Sequence, residues 1–352
     1  MIWLNKPRKI SLSLKIFFIQ QLGVMLKAGI SMALALKTLS AQTESKSLKI
    51  ILSDLQTAVE KGNTLSKGLE LYQKVFGELF INMVKAGETS GKLEEVLDEL
   101  HLQMKKDHEI IAKVRGAMIY PSIVVVMMGA IGVIMAVYVI PALTGVFKEM
   151  NVDLPLPTRI LIFISDFLLA NGLYVLVGLI IGIIIFQRAT ATPKGKAVFH
   201  YLLLKTPIVG KIIRQINLAR FCRTISSLLK TDIPIVSSFE ITSKVLGNVA
   251  YKKALVEAQE KIKKGVSIKD SLAPYPKLFP PVVLQMISVG EETGELDNIL
   301  QESAIFYEEG VNQTMSNLPS IMEPVLMIIL GVAVGAMAIA VILPMYTLGQ
   351  SI

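Results

Sequence analysis

Three stretches of this chain are too long and too apolar to belong to the core of an ordinary soluble protein. They cover residues 118–143, 160–186 and 318–346, and no charged residue lies in the middle of any of them. A helix needs about 20 apolar residues to cross the hydrocarbon core of a bilayer. Only 18% of all residues are charged and the mean hydropathy is +0.57. The sequence therefore predicts three transmembrane helices.

The polar segments around these stretches differ in their content of basic residues. Residues 1–117 and residues 187–317 each hold 17 Lys and Arg against 12 Asp and Glu. The loop 144–159 holds only two basic residues, and the tail 347–352 holds none. Because basic segments stay on the cytoplasmic side of a membrane, the N-terminus and both large segments are predicted to be cytoplasmic. The loop and the C-terminus then face outward. This topology, together with contact between basic residues and anionic lipid, explains the net charge of +8. Binding to nucleic acid is not needed to explain it.

Two further features limit the class of protein. The chain has a single cysteine, Cys222, which excludes an intramolecular disulfide and a cysteine-based zinc site.

The N-terminal residues 1–29 contain apolar patches interrupted by Lys and Gln, with no small-residue cleavage site after them. We therefore expect an amphipathic helix there rather than a signal peptide.

The chain repeats itself at an offset of 203 residues. Residues 83–97 align with residues 286–300, and six of these fifteen positions are identical. The same offset pairs Pro121 with Pro324 near the start of a predicted span. It also pairs Pro141 with Pro344 near the end of one. One register kept over this distance indicates a duplication. Because two membrane crossings separate the copies, both copies return to the same side of the membrane.

The apolar spacing within each copy is helical. From Leu93 to Met118, apolar residues recur at steps of three, four or seven, which predicts one helix that runs into the first span. No run alternates with the period of a strand. The predicted fold class is all-α: a polytopic membrane protein with three transmembrane helices and two duplicated cytoplasmic bundles of five or six helices. The predicted domains are residues 1–117, 118–143, 144–159, 160–186, 187–317, 318–346 and 347–352.

A glycine-rich turn occurs once in each copy. Residues 87–92, Gly-Glu-Thr-Ser-Gly-Lys, lack the spacing of a phosphate-binding loop. We interpret them as a turn between helices, in which Ser90, or Thr293 in the second copy, caps the next helix. For Glu88 and Glu291, capping and partner contact both stay open. The residues singled out in the two turns are Gly87, Glu88, Gly91, Leu93, Gly290, Glu291, Gly294 and Leu296.

No metal or catalytic site is predicted. His101 and His108 are interpreted as part of a solvated helix face, because the second copy lacks both histidines. The acidic residues of the segment 291–297 are interpreted as charged surface rather than as a cation site. Asp166 and Glu323 are expected at the membrane interface, which argues against an ion pathway through the spans. The Gly-xxx-Gly pairs in the second and third spans indicate close helix packing, either within the chain or between subunits.

With its duplicated "GE-x-(S/T)-G-x-L" turns and its order of three spans, the chain resembles the GspF/PilC family over about residues 14–348. This family comprises type II secretion F proteins and type IV pilus platform proteins. Residues Gly87, Glu88, Gly91, Gly290, Glu291 and Gly294 match the family turns, and Pro121 and Pro324 match the starts of the spans.

The resemblance implies a non-enzymatic scaffold in the bacterial inner membrane, with a cytoplasmic N-terminus, a periplasmic C-terminus and no cofactor. The implied partners are a hexameric cytoplasmic secretion or pilus ATPase, pilins or pseudopilins, inner-membrane alignment proteins, membrane lipid and further copies of the chain, as a dimer or higher oligomer. We expect the platform protein of a type IV pilus assembly machine. The alternatives are a type II secretion F protein that drives pseudopilus assembly, a small transporter or channel subunit, and a membrane-bound ATPase or kinase, the last disfavoured by the failed phosphate loop.

Overall fold

The structure is a computed structural model that describes residues 9–149 and 156–349. These residues form helices joined by turns, and no strand occurs among them. They fall into two compact units. The first unit joins residues up to 112 with residues 197–312, which we call domain 1 and domain 2. The second unit joins residues 113–196 with the residues from 313 onward, and we call it the membrane unit. The all-α fold class is confirmed.

Domain 1 is a bundle of short helices followed by one long helix. Three of its helices start with a hydroxyl cap: the side-chain oxygens of Ser11, Ser45 and Thr64 each accept a backbone N–H from the first turn of the helix. The four-residue helix α5 was not predicted, because it is too short to show an apolar period. The helices are α1 Leu12–Lys27, α2 Met32–Gln42, α3 Lys46–Glu60, α4 Leu65–Glu70, α5 Gln73–Phe76, α6 Glu78–Ser90 and α7 Leu93–Ile134.

Domain 2 repeats this order at the predicted offset. Helix α12 begins 203 positions after α2 and ends 203 positions after it, and α15 stands in the same relation to α6. Helices α13 and α14 keep the register of α3 and α4 to within one residue, and α11 corresponds to α1. The short helix α5 has no helical counterpart in domain 2, and α10 has no counterpart among the described residues of domain 1. The helices from the connector onward are α10 Pro193–Lys205, α11 Pro207–Lys230, α12 Ile235–Val245, α13 Val249–Ile262, α14 Ile268–Leu272, α15 Pro281–Thr293 and α16 Leu296–Gly349.

Each domain has its own apolar core, and the two cores are built alike. In domain 1 the rings of Phe18 and Phe76 lie 5.9 Å apart between centroids. In domain 2 the equivalent rings of Phe221 and Phe279 lie 5.1 Å apart, edge to face. Phe18, Phe221 and Phe279 are at most 1% exposed. Edge-to-face and tilted ring pairs stabilise a core beyond the area that they bury, so the duplication preserves the centre of the fold.

The membrane unit contains the three helices long and apolar enough to cross a bilayer, within Leu93–Ala142, Thr158–Ala191 and Leu296–Ala340. In their most apolar windows only 6%, 0% and 6% of the residues are buried. Such a large exposed apolar surface must be covered by lipid or by other membrane helices. Three transmembrane helices were predicted, and the described part of the chain has three helices long and apolar enough for this role.

The helix ends in this unit differ from the sequence expectation. A π-helical segment, Met135–Val139, leads from α7 into α8 Ile140–Glu149, and α9 runs over Leu156–Ala191. Helix therefore fills much of the segment predicted as the loop 144–159, because polar residues such as Lys and Glu continue a helix beyond its apolar part. Residues 1–8, 150–155 and 350–352, which include parts of the predicted N-terminal helix, loop and tail, lie outside the described residues.

Candidate functional site

The two glycine-rich turns have the same geometry. Helix α6 ends at Ser90 and α15 ends at Thr293, and the next residue is a left-handed glycine in both cases. Gly91 has φ +72° and Gly294 has φ +76°. A left-handed residue at this position stops a helix and turns the chain, and glycine adopts it without strain from a Cβ atom. The turn between the helices therefore begins only at Gly91 or Gly294, and the preceding motif residues, which were predicted as part of the turn, belong to the end of α6 or α15.

The first glycine of each turn allows two helices to come close. A Cβ atom on Gly87 would lie 3.0 Å from the Cα atom of Leu93 and 2.9 Å from a methyl carbon of Val96. A Cβ atom on Gly290 would lie 2.9 Å from the Cα atom of Leu296. The motif residues at these positions therefore form one tight corner in each domain.

The glutamate of each turn binds the start of a different helix. Both carboxylate oxygens of Glu88 accept backbone N–H groups of α4, from Leu65 at 2.5 Å and from Ser66 at 3.1 Å. In domain 2 the same oxygens of Glu291 accept the N–H groups of Ile268 at 2.6 Å and Lys269 at 3.2 Å. A helix start has unpaired N–H groups and a positive dipole end, so the carboxylate closes it as a cap.

A hydroxyl completes each of these caps. Thr64 accepts the N–H of Lys67 in domain 1, and Ser267 accepts the N–H of Asp270 in domain 2. Capping and partner contact were both left open for Glu88 and Glu291. In the structure both carboxylates cap a helix start. The capped helix is α4 or α14, 22 or 23 residues earlier in the chain, and not the helix that follows the turn.

The expected capping by Ser90 is wrong. Ser90 is the last residue of α6, and its hydroxyl donates to the carbonyl of Gly87 at 3.5 Å. Thr293 is the last residue of α15, and its hydroxyl donates to the carbonyl of Val289. It also accepts the N–H of Glu295 in a long contact of 3.4 Å. Each preceding helix continues through the first part of the predicted turn to the residue before the left-handed glycine, so both residues belong to the helix that ends there.

A second pair of contacts recurs at the same offset. The Tyr72 hydroxyl donates to Asp54 in domain 1, and the Tyr275 hydroxyl donates to Glu257 in domain 2. Burial, reinforced by the hydrogen bond to Glu257, raises the pKa of Tyr275 to about 12. Burial and the bond to Asp54 raise the pKa of Tyr72 as well. Both phenols therefore act as neutral donors that tie α3 or α13 to the following segment.

The two histidines of α7 lie in different surroundings. Among the described residues, no group of three or more His, Cys, Asp or Glu side chains could hold a metal ion. His108 is exposed, as predicted. His101 is only half-exposed, and its buried Nδ1 atom makes no hydrogen bond with described residues. The prediction of a solvated face is therefore wrong for His101, because α7 packs this side of its first turns against the domain.

The contact between the two domains was not predicted from the sequence. Leu228, Ile233 and Ile241 of domain 2 are part of the apolar cluster of domain 1. Around this apolar contact lie three ion pairs, each 2.8 Å long: Lys92 with Asp232, Glu78 with Lys244, and Asp107 with Arg220.

One of these ion pairs rests on an unusual backbone conformation. Asp232 has φ +60°, and it is the non-glycine residue with positive φ in the described chain. The equivalent position in domain 1 is Gly29, with φ +79°. An aspartate tolerates this conformation better than most residues, and here its carboxylate binds Lys92. A substitution of glycine by aspartate between the copies was the one signal in the sequence that could have revealed this contact.

Polar side chains also lie inside the contact between the domains. Gln103 is 2% exposed and donates to the Thr224 hydroxyl at 3.2 Å. Next to it, Arg223 forms two hydrogen bonds of 2.9 Å with the carboxylate of Glu308. Burial raises the pKa of Glu308, and the charge of Arg223 opposes this shift. Domain 1 carries Gln20 and Lys105 at the equivalent positions of this buried pair.

The membrane unit shows two hydroxyl contacts between its helices. Thr158 donates to the carbonyl of Ala340 at 2.7 Å, and Ser165 donates to the carbonyl of Ala136. Asp166 is exposed on α9. A Cβ atom on the span glycines 178, 182, 331 or 335 would meet no heavy atom within 4 Å. The described chain therefore places no partner helix against these glycines.

The span prolines lie within helices. Pro121 is buried and α7 continues through it, while Pro324 is exposed on α16. Pro141 is the second residue of α8, directly after the π-helical segment. Pro344 lies within α16. A proline inside a helix removes one backbone hydrogen bond, and the rearranged segment Met135–Val139 lies where Pro141 removes such a bond.

Comparison with known proteins gives a consistent result. The family model for the type II secretion system (T2SS), protein F, matches residues 18–141 and again residues 221–344. The two matches are 203 residues apart at both ends. The type IV pilus assembly protein PilC of Thermus thermophilus is 36% identical over 329 residues, which cover 94% of this chain and 81% of that protein.

Other relatives come from both kinds of machine. The type IV pilus assembly protein PilC of Pseudomonas aeruginosa is 31% identical and covers 98% of this chain and 91% of its own length. The type II secretion system protein F of Vibrio cholerae is 32% identical and covers 92% of this chain and 80% of its own length. With two family matches that follow its internal repeat, the chain belongs to the type II secretion system protein F family, which includes the PilC proteins.

Proposed function

We propose that this chain is the inner-membrane platform protein of a type IV pilus assembly machine. In this role it couples a cytoplasmic assembly ATPase to the insertion of pilins into the filament. The observation that carries the proposal is the 36% identity to a pilus assembly protein over 94% of the chain. The second candidate is a type II secretion F protein, which the 32% identity to such a protein over 92% of the chain supports.

The architecture is suited to a scaffold. Two copies of one domain pack together as a single unit, and helices α7 and α16 continue from these domains into apolar spans. The glutamates of the family turns are engaged in helix caps. We propose that the turns act by shaping the domains, that the chain contributes no catalytic step, and that it works as a homo-oligomer with the ATPase, pilins and alignment proteins around it.

The same proposal fixes an orientation. Domains 1 and 2 face the cytoplasm, where an ATPase can reach them, and the C-terminus faces the periplasm. The basic excess in residues 1–117 and 187–317 supports this orientation. A reporter that is active only in the periplasm, fused after Ile352, should be active, and the same reporter inserted after Asn63 should be silent. The reverse pattern would contradict the orientation.

The test of function is purification of the tagged chain from native membranes in mild detergent, with mass spectrometry of its partners. An assembly ATPase with type IV pilins is the expected result. Pseudopilins with a secretion ATPase would favour the secretion candidate. Purification of the chain without any filament component would overturn both candidates. A strain that lacks the gene should lose surface pili, and it should keep secretion of exoproteins.

A further inference from the structure

The contact between the two domains joins surfaces that are not equivalent in the repeat. Domain 1 contributes α6 and the first part of α7, whereas domain 2 contributes α11 and α12. The counterparts of α6 and α7 are α15 and α16, and the counterparts of α11 and α12 are α1 and α2. The contact is therefore head-to-tail. Each domain also carries the counterpart of the surface that its neighbour uses.

The occupied surfaces can be defined by three positions each. We call Leu79, Ala86 and Gln103 the α6 face. Gln103 donates to Thr224 of domain 2, and Leu79 and Ala86 pack against the shared apolar cluster.

On the other side, we call Arg220, Ser227 and Ser237 the α12 face. Arg220 pairs with Asp107, and Ser227 donates to Glu99. Ser237 lines one cleft together with Ala86.

The counterpart of the α6 face is exposed in domain 2. Adding the repeat offset gives Val282, Val289 and Phe306, which we call the α15 face. Their exposed fractions are 59%, 40% and 62%. Where domain 1 buries the polar side chain of Gln103 at 2% exposure, domain 2 thus exposes a phenylalanine.

The counterpart of the α12 face is exposed in domain 1. Subtracting the offset gives Phe17, Val24 and Leu34, which we call the α2 face. Their exposed fractions are 44%, 58% and 53%. Among residues 12–90 the other exposed large apolar side chains are Ile50 and Leu71. Exposed apolar residues thus concentrate at the positions equivalent to the α12 face, and such patches usually mark a contact surface.

We propose that the α2 face of one copy of this chain binds the α15 face of a second copy, in the way that the α12 face and the α6 face bind within one chain. The occupant follows from the repeat, because the two free faces are counterparts of two surfaces that already bind each other. Each chain carries one of each free face. A head-to-tail contact of this kind gives a closed assembly when its rotation closes.

The exposed polar groups differ between the two contacts. The ion pair of Lys92 with Asp232 has no copy between the free faces, because the equivalent residues are Glu295 and Gly29. The free faces rely on apolar area instead, and the occupied faces on ion pairs and hydrogen bonds. This difference keeps the two contacts distinct, since an α2 face that replaced the α12 face would leave Lys92, Glu78 and Asp107 without their partners.

The inference deepens the proposed self-association, and a disulfide cross-link tests it. One tagged copy carries Leu34→Cys and a differently tagged copy carries Val289→Cys, because their counterparts Ser237 and Ala86 line one cleft. The native Cys222 can remain, since it is buried and burial raises its pKa to about 12. In oxidised membranes from cells that express both copies, we expect a disulfide between the two tags. Either variant alone should give none.

The matched control is the pair Ile50→Cys and Val256→Cys. These residues are 43% and 42% exposed but lie outside the four faces. Cross-linking of Leu34→Cys with Val289→Cys should exceed that of the control at least tenfold. Equal yields in both pairs, or a disulfide between two Leu34→Cys copies, would overturn the inference, because the latter requires a symmetric contact of α2 with α2.

A second measurement separates this inference from the proposed function. The native mass of the full chain in detergent should be that of an oligomer, and Leu34→Asp should shift it to the monomer without a change in thermal unfolding. An oligomer that resists Leu34→Asp would overturn the assigned faces and leave self-association intact. A wild-type chain that is monomeric would overturn both the assigned faces and self-association. The purification of filament partners tests the platform role independently of either result.

Discussion

In domain 1 the surface of α6 and α7 packs against domain 2, whereas the matching surface of α15 and α16 in domain 2 is exposed. The interior shows the opposite relation. The glycine corner, the glutamate cap and the phenylalanine pair occur in both domains at the same offset. Duplication has therefore kept what folds a domain and changed what a domain presents to its neighbours. Substitutions at equivalent positions can test this division.

The single cysteine gives a convenient measurement for domain 2. Cys222 is fully buried in its core, so a fluorogenic maleimide reacts with it only when that core opens. Circular dichroism of the purified chain in detergent follows both domains together. The two signals are compared for each variant.

The largest effect is expected at the buried ion pair, which domain 1 lacks. Arg223→Met removes one partner and leaves the Glu308 carboxylate buried without its counter-charge, which costs about 3–5 kcal/mol of unfolding free energy. The double variant Arg223→Met with Glu308→Met should recover most of this loss, because an apolar pair of similar volume needs no desolvation of charge. A double variant as unstable as the single one would show that Arg223 acts through other contacts.

The same single variant has a defined pH dependence. Burial already raises the pKa of Glu308 in the folded chain, and loss of the Arg223 charge raises it further. A carboxyl with a raised folded pKa favours the folded state below its unfolded pKa, and this contribution is lost as the pH rises through the folded value. Arg223→Met should therefore be least destabilised in acid and most destabilised at neutral pH. A pH-independent loss would contradict this account.

The next largest effect is expected at the glycine corners, and it should be equal in both domains. Gly290→Ala places a Cβ atom 2.9 Å from the Cα atom of Leu296, and Gly87→Ala places one 3.0 Å from that of Leu93. Overpacking against backbone costs about 1–3 kcal/mol. The control is Gly247→Ala, whose Cβ atom would meet nothing within 4 Å. A loss at only one of the two corners would break the comparison of the domain interiors.

The glutamate caps should show a similar, somewhat smaller effect. Glu291→Ala and Glu88→Ala each leave two backbone N–H groups at a helix start without their acceptor, which costs about 1–3 kcal/mol. Thermal unfolding of each variant is compared with that of Glu309→Ala, because Glu309 is exposed and its removal should change stability by less than about 0.5 kcal/mol. If Glu88→Ala kept full stability and lost partner binding, contact with a partner would be the better interpretation of this glutamate.

The interiors of the domains could be predicted from the sequence because their signals are local or are repeated. Apolar spacing predicted helices, and the offset predicted that α12 and α15 would match α2 and α6. The glycine-rich turns predicted a break between helices, although α6 and α15 continue up to the second glycine of each motif. Capping was one of the interpretations kept open for Glu88, but the helix that it caps could not be predicted, since that helix starts 23 residues earlier and no spacing rule connects the two.

The contact between the domains was missed for a related reason. Gln103 and Thr224 lie 121 residues apart, and nothing near either residue indicates that they meet. The periodicity of a helix shows that a face is buried, but it does not show which surface buries it. His101 illustrates the same limit. Its helix carries many charged residues, and the partial burial of its side chain depends on packing that the sequence of α7 alone does not show.

The smallest effect is expected at Asp232, which occupies the position equivalent to Gly29 of domain 1. Asp232→Gly relieves a left-handed conformation that costs a non-glycine residue about 1 kcal/mol, and it removes an exposed ion pair that contributes about 0–1 kcal/mol. The two changes nearly cancel, so the unfolding free energy should stay within about 1 kcal/mol of the wild type.

Asp232→Asn keeps a residue that tolerates this conformation and loses only the charge, so it measures the ion pair alone. Its small loss of stability should vanish at high salt. In domain 1, Gly29→Ala has no ion pair to set against the strain and should cost about 1 kcal/mol. A large loss for Asp232→Asn would mean that one exposed ion pair, rather than the apolar contact of Leu228, Ile233 and Ile241, holds the two domains together.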